Sequence, residues 1–196
     1  MKVLLLVVLA STFLSSISLA EGLGSTTYKN YVDSEGNISL PNDFQRDWVF
    51  LGSWSIAMKE AEISGSASGH GAAGLHNVYT QRAVIDFFQK NQKFPDGAVF
   101  IKELLKAKTE NMTTGTVSRG VEVEGWFVMV KDTKERFSAN PLWGDGWGWA
   151  LFKAEHPNET VTKNYHSECL GCHVPARNDD GIYLDGYPLL GKKAVQ

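Results

Sequence analysis

Close to the C-terminal end stands Cys169-Leu170-Gly171-Cys172-His173, which holds both cysteines of the chain. Two thiols three positions apart, with an imidazole beside the second, have the spacing that attaches a c-type haem. The thiols bond the two vinyl groups of one porphyrin, and His173 becomes the proximal iron ligand. A chain so constrained must fold around a large flat group tethered near its end. Two other chemistries use the same residue types. A thioredoxin-like dithiol wants its first thiol exposed at a helix N-terminus after a strand, whereas this pair comes late, after a helical-looking stretch. A structural zinc site needs two further ligands at regular spacing, and only the scattered His70, His76, His156 and His166 remain. Haem attachment is the reading carried forward.

The other end of the chain points to a compartment that suits it. Lys2 precedes an apolar run over residues 3–13, and Ser18-Leu19-Ala20 ends in small residues of the kind a signal peptidase cuts after. The run is too short to remain as a membrane span. The expectation is a signal peptide over residues 1–20, a mature chain from Glu21, and export to a bacterial periplasm, where c-type haem is attached. An uncleaved tether is the alternative. Residues 21–196 then form a single domain with a real core. The chain carries 19 basic and 22 acidic residues, and losing Lys2 makes it slightly more acidic. With no charged runs, that balance gives no ground for nucleic acid or for an anionic membrane surface.

Periodicity places strands between a few helices. Residues 47–57 alternate Trp48, Phe50, Trp54 and Ile56 against Val49, Leu51, Ser53 and Ser55, a β period with both faces partly buried. The small-residue stretch 64–74 reads as a mobile loop, with His70 solvated inside it. Thr80 is placed to cap a helix carrying Val84, Phe87 and Phe88, which ends before the turn Phe94-Pro95-Asp96-Gly97. Residues 98–105, 124–131 and 147–153 read as strands, and residues 160–169 as a helix presenting the haem motif. A small helical electron carrier has its motif near the N-terminus, and a four-helix bundle needs four long amphipathic helices. The fold expected instead is α+β and β-rich: an antiparallel sheet with a few packed helices and a C-terminal c-type haem motif.

In order along the chain stand Leu40-Pro41 leading to Trp48-Val49 and Gly52, His76-Asn77-Val78-Tyr79, the Phe94-Pro95-Asp96-Gly97 turn with Lys102-Glu103-Leu104 after it, and Val130-Lys131-Asp132. The tryptophan-rich Trp143-Gly144-Asp145-Gly146-Trp147-Gly148-Trp149 follows, and then Cys169 to His173. In this order and spacing the chain resembles the cytochrome P-460 family with its cytochrome c′-beta relatives, through nearly the whole mature length. The resemblance implies a β-rich periplasmic protein, often a homodimer. It also implies one covalent haem c per chain, with His173 on one side of the iron and an open position on the other. In P-460-like members a lysine also bonds the porphyrin edge, and the matching residue is Lys102. Those members oxidise hydroxylamine to nitric oxide and nitrous oxide and pass electrons to a soluble acceptor. The c′-beta members bind nitric oxide or carbon monoxide.

Lys102 shares a strand face with Ala98, Phe100 and Leu104, so the period permits it to point inward. A lone ammonium is costly to bury, which makes a haem edge its sensible destination; the alternative is an edge-strand charge that discourages aggregation. Oxidising hydroxylamine calls for a carboxylate base over the iron. Aligned without gaps on Val130-Lys131-Asp132, the position of that carboxylate in hydroxylamine-oxidising relatives holds Phe127; a shift of the strand would bring Glu122 or Glu124 there instead. A pocket capped by Phe127, Met129 or Trp126 would favour neutral diatomics. Trp143, Trp147 and Trp149 are core or haem-packing rings, and His76 is either a structural or a pocket histidine. Met58, Met112 and Met129 are each a sixth-ligand candidate or a core filler. The sequons at Asn37, Asn111 and Asn158 read as chance. The leading function is a hydroxylamine-oxidising haem oxidoreductase. Gas binding is the alternative, and a simple electron carrier, needing a sixth protein ligand, comes third.

Overall fold

The computed structural model describes residues 30–57 and 71–191; the expected signal peptide, Met58 and His70 lie outside them. One sheet of seven antiparallel strands organises these residues: β1 (Val49–Ala57), β2 (Ala72–Thr80), β3 (Val99–Met112), β4 (Gly115–Lys131), β5 (Trp143–Gly144), β6 (Trp147–Lys153) and β7 (His156–Thr160). The spatial order is β1-β2-β3-β4-β6-β5, with β7 also on β6. Short α-helices flank it, among them α1 (Phe44–Asp47), α2 (Arg82–Asn91), α3 (Tyr165–Glu168) and α4 (Leu170–His173). The fold is therefore α+β and strand-rich, as the patterning implies.

Alternation along the central hairpin divides the interior in two. Val99 and Ile101 pair across to Val130 and Val128 on one face, while Phe100 and Lys102 pair to Met129 and Phe127 on the other. Against the first face pack Val32, Ile38 and Phe44 from the N-terminal segment. Against the second pack Val84, Ile85 and Phe88 of α2 and the C-terminal residues Ile182, Leu184, Tyr187 and Leu190. The haem motif belongs to this second layer, because Cys169 is part of its buried cluster.

Several elements differ from the sequence reading. β3 and β4 run well past the expected 98–105 and 124–131. Their outer halves are polar, laced by an Arg119–Glu110 ion pair of 2.7 Å and a 2.8 Å Thr109–Ser118 hydroxyl contact, so hydrophobic period could not find them. β1 is interrupted by a bulge between Phe50 and Gly52 and is exposed from Ser53 onward, so that half buries neither face. Residues 72–74, expected in the loop, are β2 strand, since small residues also fit between close neighbours: a Cβ on Gly74 would meet the Leu105 carbonyl at 3.1 Å. The N-cap of α2 is Gln81 rather than Thr80. Thr80 ends β2 instead and donates its hydroxyl to the Val99 carbonyl at 2.6 Å. Only one helical turn forms within residues 160–169; Thr160 ends β7, and the Leu151 N–H donates to Thr162 Oγ1 at 2.9 Å. Hydroxyls that satisfy strand backbone oppose a helix there.

The turn at residues 94–97 is tied to the end of β4 through Arg136. Its guanidinium donates to Asp132 Oδ1 at 2.6 Å and pairs with the Asp96 carboxylate, which also accepts from the Thr133 N–H at 2.9 Å. Burial pushes Asp96 up, but the bonds from Arg136 and Thr133 outweigh it and hold the carboxyl below the ordinary range. A lowered folded value means that this stabilisation is complete above pH ~4, the unfolded carboxyl value, and is lost as pH falls through the folded one. Asp96→Asn is therefore expected to lower stability at neutral pH by ~1–3 kcal/mol and to flatten its acid dependence. Urea midpoints for both proteins between neutral and acid pH check this; equal acid slopes would remove Asp96 from the acid transition.

Candidate haem site

Two single-turn helices in series deliver the motif. Asn164 caps α3 by accepting the His166 N–H at 2.9 Å. α4 then carries Cys172 and His173 in one turn, with Cys169 at its N-cap. Cys169 is buried and Cys172 exposed. Both line, with His173, a cleft between the C-terminal segment and the sheet. The sheet side of that cleft is Val78, Phe100, Lys102, Phe127, Met129 and Trp149, so its walls are mostly apolar.

The histidine is prepared as a ligand. Its Nδ1 lies 2.7 Å from the Gly181 carbonyl, a contact that fixes the proton on Nδ1 and leaves the Nε2 lone pair free. Burial lowers its pKa, against the opposing Gly181 hydrogen bond and with a smaller push from Lys102, and so favours the neutral ring that metal ligation requires. Trp149 meets it edge-on at 4.8 Å between ring centres, and Tyr165 stacks on Trp149 at 6.2 Å. The stack needs Gly144, where any Cβ would collide with the Tyr165 ring.

Cys169 does not have the activated first thiol of a thioredoxin-like pair. Burial, with Glu168 adding to it, pushes it up to about 11, the reverse of the depressed value such a thiol needs. Among the described residues no three His, Cys, Asp or Glu side chains gather as a metal site, so the thiols have no zinc partners there. Two thiols, a neutral imidazole with a committed tautomer and an apolar wall fit haem by the chemistry of the donors.

Lys102 lines the same cleft, its Nζ 4.5 Å from the centre of the Phe127 ring. Burial lowers its pKa, with the two cysteines pulling weakly the other way, so its neutral amine is easier to reach than that of a surface lysine. Phe127 and Met129 also line the cleft, as expected of a pocket cap. Glu122 and Glu124 do not. A register shift between Leu104 and Leu105 leaves Glu124 as the unpaired extra residue of β4, exposed to solvent. Glu122 pairs with Lys106 at 3.7 Å on the exposed ribbon. Trp126 faces the other core and donates to Glu103 Oε1 at 3.4 Å. His76, cross-strand from Leu104 and Trp54, is not part of the lining, although burial and the nearby Lys102 lower its pKa. Met112 is exposed, so of the described methionines considered as ligands only Met129 reaches the cleft.

The cleft contains groups that sequence reasoning passed over. Glu168 is the single carboxylate among its lining residues, and its Oε2 accepts the Lys163 N–H at 3.0 Å. Tyr183 donates to the Cys172 carbonyl at 2.5 Å, and Tyr187 is buried beside it. Glu168 adjoins the motif and could have been found there; the tyrosines come from irregular chain with no period to betray their direction. No curated protein sequence matches the chain. The family model described as Cytochrome P460 matches residues 41–184, from Pro41 before the first core through the haem motif to Leu184 behind it, and the chain belongs to that family of haem proteins.

Proposed function

We propose that this protein is a periplasmic c-type mono-haem protein whose open site binds small neutral ligands of the nitric oxide and carbon monoxide class. In this reading Cys169 and Cys172 hold the porphyrin by thioether bonds and His173 is the proximal ligand. Bound there, haem supplies an iron with one position left for a small molecule. The observation that carries the reading is the composition of the cleft wall: Phe100, Phe127, Met129 and Val78 face in, while Glu122 and Glu124 face solvent. This sheet wall is apolar apart from Lys102 and carries no carboxylate, the single one of the lining being Glu168 on the motif side, which suits a ligand that gives up no proton. The apolar run over residues 3–13 with small residues up to Ala20 supports export. The apolar side chains Phe50, Trp54 and Ile56, exposed on the outer strand β1, are surface a second copy would cover.

A second reading is favoured by Lys102. An amine whose pKa is lowered by burial, among the residues of the haem cleft, favours a lysine-to-porphyrin bond, and the family members with that bond oxidise hydroxylamine. Glu168 would then be the carboxylate nearest to hand as proton acceptor.

The test uses protein matured with haem in a periplasm. The ferrous spectrum is expected to shift on adding carbon monoxide or nitric oxide, while hydroxylamine with an excess of oxidised acceptor gives no sustained turnover. Lys102→Met discriminates the second reading. If Lys102 is bonded to the porphyrin, the parent shows a broadened, red-shifted Soret band and the variant an ordinary c-type one. Turnover in the parent, lost in Lys102→Met, would replace gas binding by hydroxylamine oxidation.

A further inference from the structure

The carbonyl that fixes His173 belongs to a left-handed turn. Asp180 and Gly181 follow one another at φ 58° and 78°, a conformation that Asp and Gly adopt more readily than most residues, and the Gly181 N–H closes the turn on the Ala176 carbonyl at 2.9 Å. Two groups from the sheet tie it down. Lys131, the last residue of β4, donates to Asp180 Oδ1 at 2.8 Å. Its side chain is only 10% exposed, and its ammonium lies 4.7 Å from the centre of the Trp147 ring. Trp147 Nε1 donates to the main-chain carbonyl of the same Asp180 at 3.0 Å. One residue further on, the Gly181 carbonyl faces His173 Nδ1.

We propose that Lys131, Asp180 and Trp147 form a clamp that aims the Gly181 carbonyl at His173 and so sets how strongly the imidazole donates to iron. They are positioning residues: none is the ligand, and each acts through the turn. The inference rests on His173 being the iron ligand. A short Nδ1–H to carbonyl bond gives the ring more anionic character and favours the ferric state. A loosened carbonyl therefore raises the midpoint potential and weakens the iron–histidine bond.

The charges of the clamp make the test selective. Acting through space alone, removing the Lys131 ammonium would lower the potential and removing the Asp180 carboxylate would raise it. Acting through the clamp, both removals raise it. In haem-loaded protein, Lys131→Met and Asp180→Asn are each expected to shift the one-electron reduction equilibrium upward by roughly tenfold, ~59 mV. Each is also expected to lower the iron–histidine stretching frequency in the resonance Raman spectrum of the ferrous protein. The double variant shifts no further than the larger single one, because both changes release the same turn. Asn tolerates the left-handed conformation, so Asp180→Asn remains informative if Lys131→Met folds poorly. Shifts of opposite sign, or unchanged potentials and frequencies in folded variants, overturn the clamp while leaving His173 as ligand. A parent protein without an iron–histidine band overturns the ligand assignment and the clamp with it.

Discussion

A chain in which Cys169 and Cys172 are both alanine is expected to leave a haem-maturing periplasm with no covalently bound haem. The loss should be complete: the chain has no other cysteine, and thioether attachment needs a thiol for each vinyl group. The two positions are not equivalent. Cys169 is buried in the second core beside Trp149 and Ile182, whereas Cys172 lies at the surface. Cys172→Ala should therefore retain one attachment and a partly filled cleft. Cys169→Ala also removes a packed side chain and should yield less matured protein. Intact mass under denaturing conditions separates the cases, and haem mass retained by the double variant would end the c-type reading. His173→Ala makes the complementary point, since covalent haem is then retained while the iron–histidine band disappears.

The features readable from sequence are those in which one period or one spacing decides the outcome. Cys169, Cys172 and His173 were legible because their chemistry depends on separation along the chain. Lys102 was legible as inward-facing because it alternates with Phe100 on a strand whose other face is Val99 and Ile101. Phe127 came from the ungapped alignment on Val130-Lys131-Asp132; alternation across the hairpin puts it and Met129 on the cleft face and Trp126, the third cap candidate, on the other. Glu122 and Glu124 were candidates only through an assumed shift of the strand alignment; in the fold Glu124 is the extra residue of a one-residue bulge and Glu122 lies beyond it on the exposed ribbon, and nothing in residues 122–126 announces that bulge except Gly125. There the backbone is at φ 158° and a Cβ would strike the Phe152 carbonyl. The polar ribbon and the threonine-rich approach to the motif were misread for a related reason: hydrogen bonds from hydroxyls and ion pairs hold them, and these leave no apolar period. Asp180 and Gly181 gave no signal, because a turn held by Lys131, far away in sequence, is visible only once the sheet is folded.

Trp147→Ala is expected to be the most damaging change in the second core, lowering stability by ~3–5 kcal/mol. The side chain is only 2% exposed. Its ring meets Phe94 at 6.0 Å and Phe100 at 5.9 Å between centres, joining α2's layer to the sheet. Removing it opens a cavity, strips the Lys131 ammonium of its aromatic neighbour and leaves the Asp180 carbonyl without its indole donor. Trp147→Phe separates these effects. It keeps most of the apolar volume and the face under Lys131 but deletes the N–H, so it should lose only ~1–2 kcal/mol. Urea midpoints of the matured proteins measure both. If packing dominates, the phenylalanine variant stays close to the parent; if it unfolds as early as the alanine variant, the hydrogen bond to Asp180 is what joins the core to the turn behind His173.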